Sequence, residues 1–304
     1  MRYWSPMTDS PGVEPSSLKA ICFMGRKRTL RLLLLFVILT ASRLYANELK
    51  PEAEAGWNRY VALTEARIDR EQADLSHFLW IDRMPEQQKE RVDAQLGKGQ
   101  VVIERLTTTD HDGSSIKTPG ALVHHWIGTA FIPGATMHQA VALVQDYNHH
   151  YQTYKPEVER SQLISRDGND FQIYLRYRKK KIITVVLNTY HDVHYVMVDA
   201  HHAHCRSYTT TVREVEDAGT PKEHERTSDD QDGFMWSMNT YWRFEDRKGG
   251  VYIQCEAITL TRSIPVVLRW LIEPYITSIP LESLTETMNQ TRDALTTPSP
   301  PPDP

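Results

Sequence analysis

Cysteine is scarce: Cys22, Cys205 and Cys255 are the only three in 304 residues, too few for a disulfide-built scaffold. Long apolar runs are scarcer still. Only residues 30–41 are apolar enough to consider for a membrane, which rules out a polytopic membrane protein. Positive charge is not in excess either. The formal net charge is −4, which argues against a nucleic-acid partner, since phosphate contacts draw on surplus Lys and Arg. Residues 1–46 hold seven Lys/Arg and two acids, leaving 28 bases against 37 acids in the rest of the chain. The sequence contains no GxSxG, HExxH or CxxC, no glycine-rich phosphate cradle and no internal repeat.

What the N-terminus does contain is an address. Gly25-Arg26-Lys27-Arg28 forms a basic region, residues 30–41 a short apolar one, and Leu44-Tyr45-Ala46 ends in the small residue a signal peptidase needs. The reading is a signal peptide over 24–46 with translation starting at Met24. Residues 1–23 are then an upstream artefact of start-codon choice. The alternative is a cytoplasmic extension with an uncleaved anchor. A run of twelve residues is short for a span of ~20, which favours cleavage after Ala46 and export to the periplasm or beyond.

In the mature chain, Trp57, Tyr60, Ile68, Leu75 and Phe78 recur with helical period over 53–80. A more polar helix follows Pro85 and ends at Gly97. Strands are expected at 101–106 and 122–132, and a helix over 136–151. From 160 the pattern changes to strands at 160–166, 170–178, 182–198, 203–216, 234–245 and 251–262, rich in Val, Ile, Tyr and Thr. The division of 182–216 is open, because its turn could fall anywhere from Asp199 to Arg206. Residues 219–233 read as a solvated polar loop. A terminal helix then runs from Ser263 to about Leu295, with Pro274 and Pro280 expected to kink or break it. A Pro-rich tail, 297–304, is expected to be disordered.

That order, strand, helix, a run of strands and a long terminal helix, resembles the helix-grip superfamily of START-like lipid-transfer domains, Bet v 1-like allergens and polyketide cyclases. More closely, the sequence resembles uncharacterised secreted bacterial START-like proteins. The resemblance is carried by HHWIGTAFIPGATM (124–137), YKPEVERSQL (154–163), GFMWSMNTYWRF (233–244), CEAITLTRSIP (255–265) and IPLESLTETMNQTRDAL (279–295). It implies an α+β fold: a curved antiparallel sheet around the C-terminal helix over 101–296, with an added N-terminal helical segment at 47–100. It also implies that Cys205 and Cys255 lie two strands apart, too far for a disulfide, as free buried thiols.

Chemistry is harder to place, because the superfamily carries many activities. Only two histidines of the His201, His202, His204 and Cys205 cluster share a strand face, so no metal site and no cofactor is expected. Two charged residues stand in apolar strands: Glu256, which could act as a base in a cavity wall, and Arg176. The competing reading pairs Glu256 with Arg243 or Arg262 as cross-strand support. The resemblance points to Trp236, Tyr241, Val266, Trp270 and Tyr275 as cavity or mouth residues. The expected function is non-enzymatic binding of a hydrophobic or amphipathic, lipid-like small molecule, with a kinked 263–280 segment as lid and transient membrane contact on opening. The alternatives are a cyclase- or hydrolase-type enzyme using Glu256, with Arg176 or a histidine, and an envelope interaction protein.

Overall fold

The computed structural model describes residues 49–181, 184–226, 234–263 and 266–296, with the backbone alone of 266–277. All of these fall in one compact unit, Asn47–Pro304. The proposed signal segment, Cys22 and the Pro-rich tail lie outside the described residues.

Helix α1, Pro51–Gln72, begins with proline where no backbone donor is needed, carries Glu52 and Glu54 in its first turn and Arg70 in its last. It is shorter than its periodicity suggests. After Gln72, Asp74 accepts the Ser76 N–H at 3.2 Å, and two 3-10 turns, Leu75–His77 and Trp80–Arg83, carry the chain onward. Phe78, Leu79 and Ile81 then pack with Val92 and Leu96 of α2, Glu86–Leu96, against Tyr252. Strands β1, Val102–Arg105, and β2, Ala121–Pro133, lead to α3, Met137–Gln145, opened by a Thr136/Gln139 capping box. The single helix expected over 136–151 is divided. It stops at Asp146 and resumes as the short α4, His150–Thr153.

Seven strands follow: β3 Val158–Asp167, β4 Asp170–Lys180, β5 Thr184–Met197, β6 His202–Glu216, β7 His224–Glu225, β8 Met235–Arg247 and β9 Gly250–Arg262. The open turn of 182–216 falls between Met197 and His202. Among the described residues all nine strands form one antiparallel sheet in the order β1-β2-β9-β8-β6-β5-β4-β3, with β7 paired to β6. Helix α5, Val266–Thr296, is continuous, which corrects the expectation that Pro274 and Pro280 break it. Each proline withdraws one backbone donor without ending the helix.

The sheet closes on α5 from both sides. At β2, Gly128 lets the helix approach: a Cβ there would stand 2.7 Å from Ile103 and 2.9 Å from Met288. At the far side Lys179 reaches Glu286 at 3.3 Å, and Lys181 pairs with Glu282. This is a helix-grip, START-like fold of the α+β class. Its inner face holds the main core, with Ile253, Cys255, Trp242, Phe244 and Tyr195 against α3 and α5. Its outer face is covered by α1, whose Ala53, Trp57, Tyr60 and Ile68 pack on Tyr241, Ile258 and Leu260. Cys205 and Cys255, both free and buried, stand opposite the same residue, Trp242, on the strands that flank it, two strands apart as expected.

Candidate functional site

Because side chains alternate along a strand, each candidate residue can be assigned to the inner or the outer face. Cys255 points to the inner core, so Glu256 points outward, beneath α1. There Glu256, fully buried, accepts a hydrogen bond from His125 Nε2 at 2.6 Å and pairs with Arg67 of α1. Arg67 also holds Glu71 at 2.9 Å, and Glu71 accepts from Arg243 Nη2 at 2.6 Å. Arg243 donates its other nitrogen to the Phe78 carbonyl at 2.8 Å. The imidazole is tied at its second nitrogen to Tyr60 Oη, 2.9 Å away, which accepts the Thr108 N–H. Burial alone would raise the Glu256 carboxyl. The His125 hydrogen bond and the Arg67 charge outweigh it, and the group titrates below its ordinary range. Burial pushes Arg243 the other way, downward. Glu256 is thus supported across elements, by His125 and Arg67; Arg243, the cross-strand partner suggested by sequence, bonds to Glu71 instead.

Arg176 is not part of that cluster. It lies on β4, four strands from β9, about 19 Å at ~4.8 Å per strand. Glu223 grips it bidentately at 2.8 and 2.9 Å, and Glu159 accepts from Nε at 3.1 Å. These bonds hold Glu223 down at about 2. The charges of the polar loop therefore fasten its first half to the sheet; residues 227–233 lie outside the described residues.

Tyr241 and Trp236 also face α1. Tyr241 is buried and donates to Glu65 at 2.9 Å, and Trp236 packs beside it at a bulge in β8. Val266, Trp270 and Tyr275 belong to α5, on the opposite side of the sheet, with side chains outside the described residues. Of the five residues expected at the cavity or its mouth, Trp236 and Tyr241 thus stand on the α1 side of the sheet, and the side chains of the other three lie outside the described residues.

The inner face carries a different constellation, which the sequence reading did not single out. Beyond the apolar core, one cross-strand row runs Trp126, Ala257, Thr240, Ser207, Val193 and Phe171. The next row holds His124, Thr259 and His191. These rows lie toward the end of the sheet where α5 begins, since Ser263 N–H bonds the Gly120 carbonyl beside that edge. Thr189, His191, Ser207, Thr259 and His124 are all buried there. His191 Nε2 bonds Thr189 Oγ1 at 2.8 Å, and its Nδ1 is 3.4 Å from Ser207 Oγ. His124 Nε2 bonds Thr261 Oγ1 at 2.8 Å. Burial pulls both imidazoles down to about 4, for His124 with help from the Arg105 charge, so both are neutral near pH 7. The Thr259 hydroxyl is buried and has no hydrogen-bond partner among the described residues. A polar, uncharged and incompletely satisfied wall is an arrangement that a small molecule can complete.

His202 and His204 do share a strand face, but His202 is held by Asp199 at 2.9 Å. Among the described residues no group of three His, Cys, Asp or Glu could hold a metal ion, and no helix is long and apolar enough to cross a membrane.

No protein-family model matches the sequence, and no curated protein matches it. Solved structures with a similar shape include TTHA0849 of Thermus thermophilus, 12% identical, covering 59% of this chain and 99% of its own, with a TM-score of 0.41. A STAR-related lipid transfer protein of Xanthomonas axonopodis is 15% identical, covering 64% and 99%, at 0.40. The Zhui aromatase/cyclase of Streptomyces sp. R1128 is 10% identical, covering 57% and 94%, at 0.35.

Proposed function

We propose that the chain is an exported, non-enzymatic binder of a hydrophobic or amphipathic small molecule, held between α5 and the inner face of the sheet. One observation supports this reading: buried polar side chains, with the Thr259 hydroxyl unpartnered among the described residues, line the inner face beyond an apolar core. A protein that only needed to fold would gain by filling those positions with apolar groups. Export rests on the 24–46 segment, and transient membrane contact would accompany ligand transfer.

An enzyme using Glu256 is the less favoured reading. Its carboxylate is committed to His125 and Arg67, on the face away from α5. A docking role for the α1 segment is less favoured too, because α1 spends its apolar side on the sheet.

Native mass spectrometry of the exported protein, followed by solvent extraction, tests the proposal. The expected mass is that of a chain starting at Asn47 plus an apolar adduct. A retained 24–46 segment overturns processing. A chain without adduct that also takes up no lipid from vesicles overturns the binder.

A further inference from the structure

The hydrogen-bond directions along the inner wall can be worked out from one fixed point. The Leu175 carbonyl can only accept, so the Thr189 hydroxyl, 3.1 Å away, donates to it. Thr189 Oγ1 has then used its hydrogen and accepts from His191 Nε2 at 2.8 Å. The neutral imidazole carries its hydrogen on Nε2, and Nδ1 is left as an acceptor. Ser207, 3.4 Å from Nδ1, turns its hydrogen toward that nitrogen. The Ser207 oxygen is left with its lone pairs on the inner face, beside Thr240 on the neighbouring strand. Three residues of relay end in an acceptor.

The charge inventory of the same wall is equally one-sided. Along the two rows, from His124 and Trp126 across to Ile173 and Phe171, no position is Asp, Glu, Lys or Arg. An anionic headgroup taken in between those ends would be desolvated with no counter-charge among the described residues of the two rows. Cations stand at both ends of the first row, both exposed: Arg105 on edge strand β1 opposite Trp126, 6.0 Å from that ring, and Arg166 on edge strand β3 opposite Phe171, 4.6 Å from that ring. Both stand at the rim.

Resting on the binder reading above, we infer that the ligand is an uncharged apolar molecule bearing a hydroxyl, which donates its hydrogen to Ser207 Oγ from within the grip. Thr259, buried and without a partner among the described residues, supplies a second hydroxyl on the same wall. The shared chemistry is an alcohol on an apolar body, whether a straight chain or a fused-ring skeleton.

The experiment is extraction by the exported protein from phosphatidylcholine vesicles doped with matched probes: 1-octadecanol, its methyl ether and octadecanoate, then cholesterol and its methyl ether. Bound probe is measured after the vesicles are removed. At least one alcohol is expected to be taken up about tenfold over its own ether, which has no hydrogen to give. Octadecanoate should also lag behind octadecanol. The preferred skeleton identifies the source. In Ser207→Ala, the preference for the alcohol over its ether should be lost. The wild-type comparison stands without the variant. Equal uptake of alcohol and ether, or preference for octadecanoate, overturns this inference and leaves the binder intact. Uptake of no probe at all overturns both.

Discussion

Cys255 and Glu256 are chain neighbours that serve opposite sides of the sheet: the thiol sits in the core gripped by α5, the carboxylate in an ionic cluster under α1. The cluster ties three parts of the chain together. Arg67 and Glu71 come from α1, His125 from β2, and Glu256 and Arg243 from the central strands. Buried ion pairs contribute little compared with an apolar replacement of the whole set, but breaking one is costly, because the partner is left charged and dry.

Glu256→Ala should therefore destabilise the protein by about 3–5 kcal/mol, the range for removing one partner of a buried pair. Urea unfolding measures this directly. Uptake of apolar ligand by the folded fraction should not change, since the carboxylate faces away from α5. Loss of uptake with unchanged stability would place the carboxylate in the binding site after all.

That inversion also shows where sequence reading stops. The strands were legible because β-branched and aromatic residues mark them, and β9 was placed within one residue of its observed start. Its facing was not legible. Almost every residue of β9 is buried, since α5 covers one side and α1 the other, so hydrophobicity does not alternate. Glu256 looked like a carboxylate in a cavity wall for that reason. His125, Arg67 and Tyr60 were missed because their meeting depends on how α1 lies across the sheet. The Ser207–His191–Thr189 relay depends on β5–β6 register, which includes a shift at His191. Spacing along the chain carries neither.

Stability should fall as pH drops from about 6.5 toward 4. His124, His150 and His191 are buried and pulled down to about 4, whereas an unfolded histidine titrates near 6.5. In that window the unfolded chain binds more protons, so stability is fully present above about 6.5 and is lost on acidification. Each histidine contributes a slope of about 1.4 kcal/mol per pH unit in mid-window. The depressed Glu256 carboxyl adds its own loss at lower pH, below the ordinary carboxylate range. Urea unfolding at a series of pH values reads the slope. His150→Gln, which can still donate to the Val144 carbonyl that His150 bonds at 3.1 Å, should reduce it by one histidine's share. A flat profile between pH 6.5 and 4 would refute the assignment.

The two described thiols should be silent in the native protein even under oxidising conditions. Burial pushes the Cys205 thiol up to about 12 and holds the Cys255 thiol well above its ordinary value. Trp242 stands between them, and second-neighbour strands lie roughly 9–10 Å apart, beyond the ~7 Å that a disulfide allows. A thiol reagent added to the Asn47–Pro304 chain should label neither group until denaturant is present, and then both. Labelling of the native protein, or an unfolded chain with no free thiol, would contradict this.

Helix α5 should open from its first half. Within a continuous α-helix the donors missing at Pro274 and Pro280 leave the Trp270 and Ile276 carbonyls without their usual partners. The second half is anchored from several directions. Leu284 and Met288 are buried in the core, Thr291 meets Tyr154 at 3.2 Å, and Arg292 donates to the Gly99 carbonyl at 2.7 Å. The first half is also the half that begins beside the polar inner wall, so a ligand entering between sheet and helix would displace turns whose backbone ladder the prolines interrupt. Hydrogen exchange can separate the halves. Amides of 266–279 should exchange faster than those of 281–295 in the empty protein, and slow when an apolar ligand is added. Equal protection in both halves, unresponsive to any lipid mixture, would mean that α5 is a fixed wall and that entry lies elsewhere.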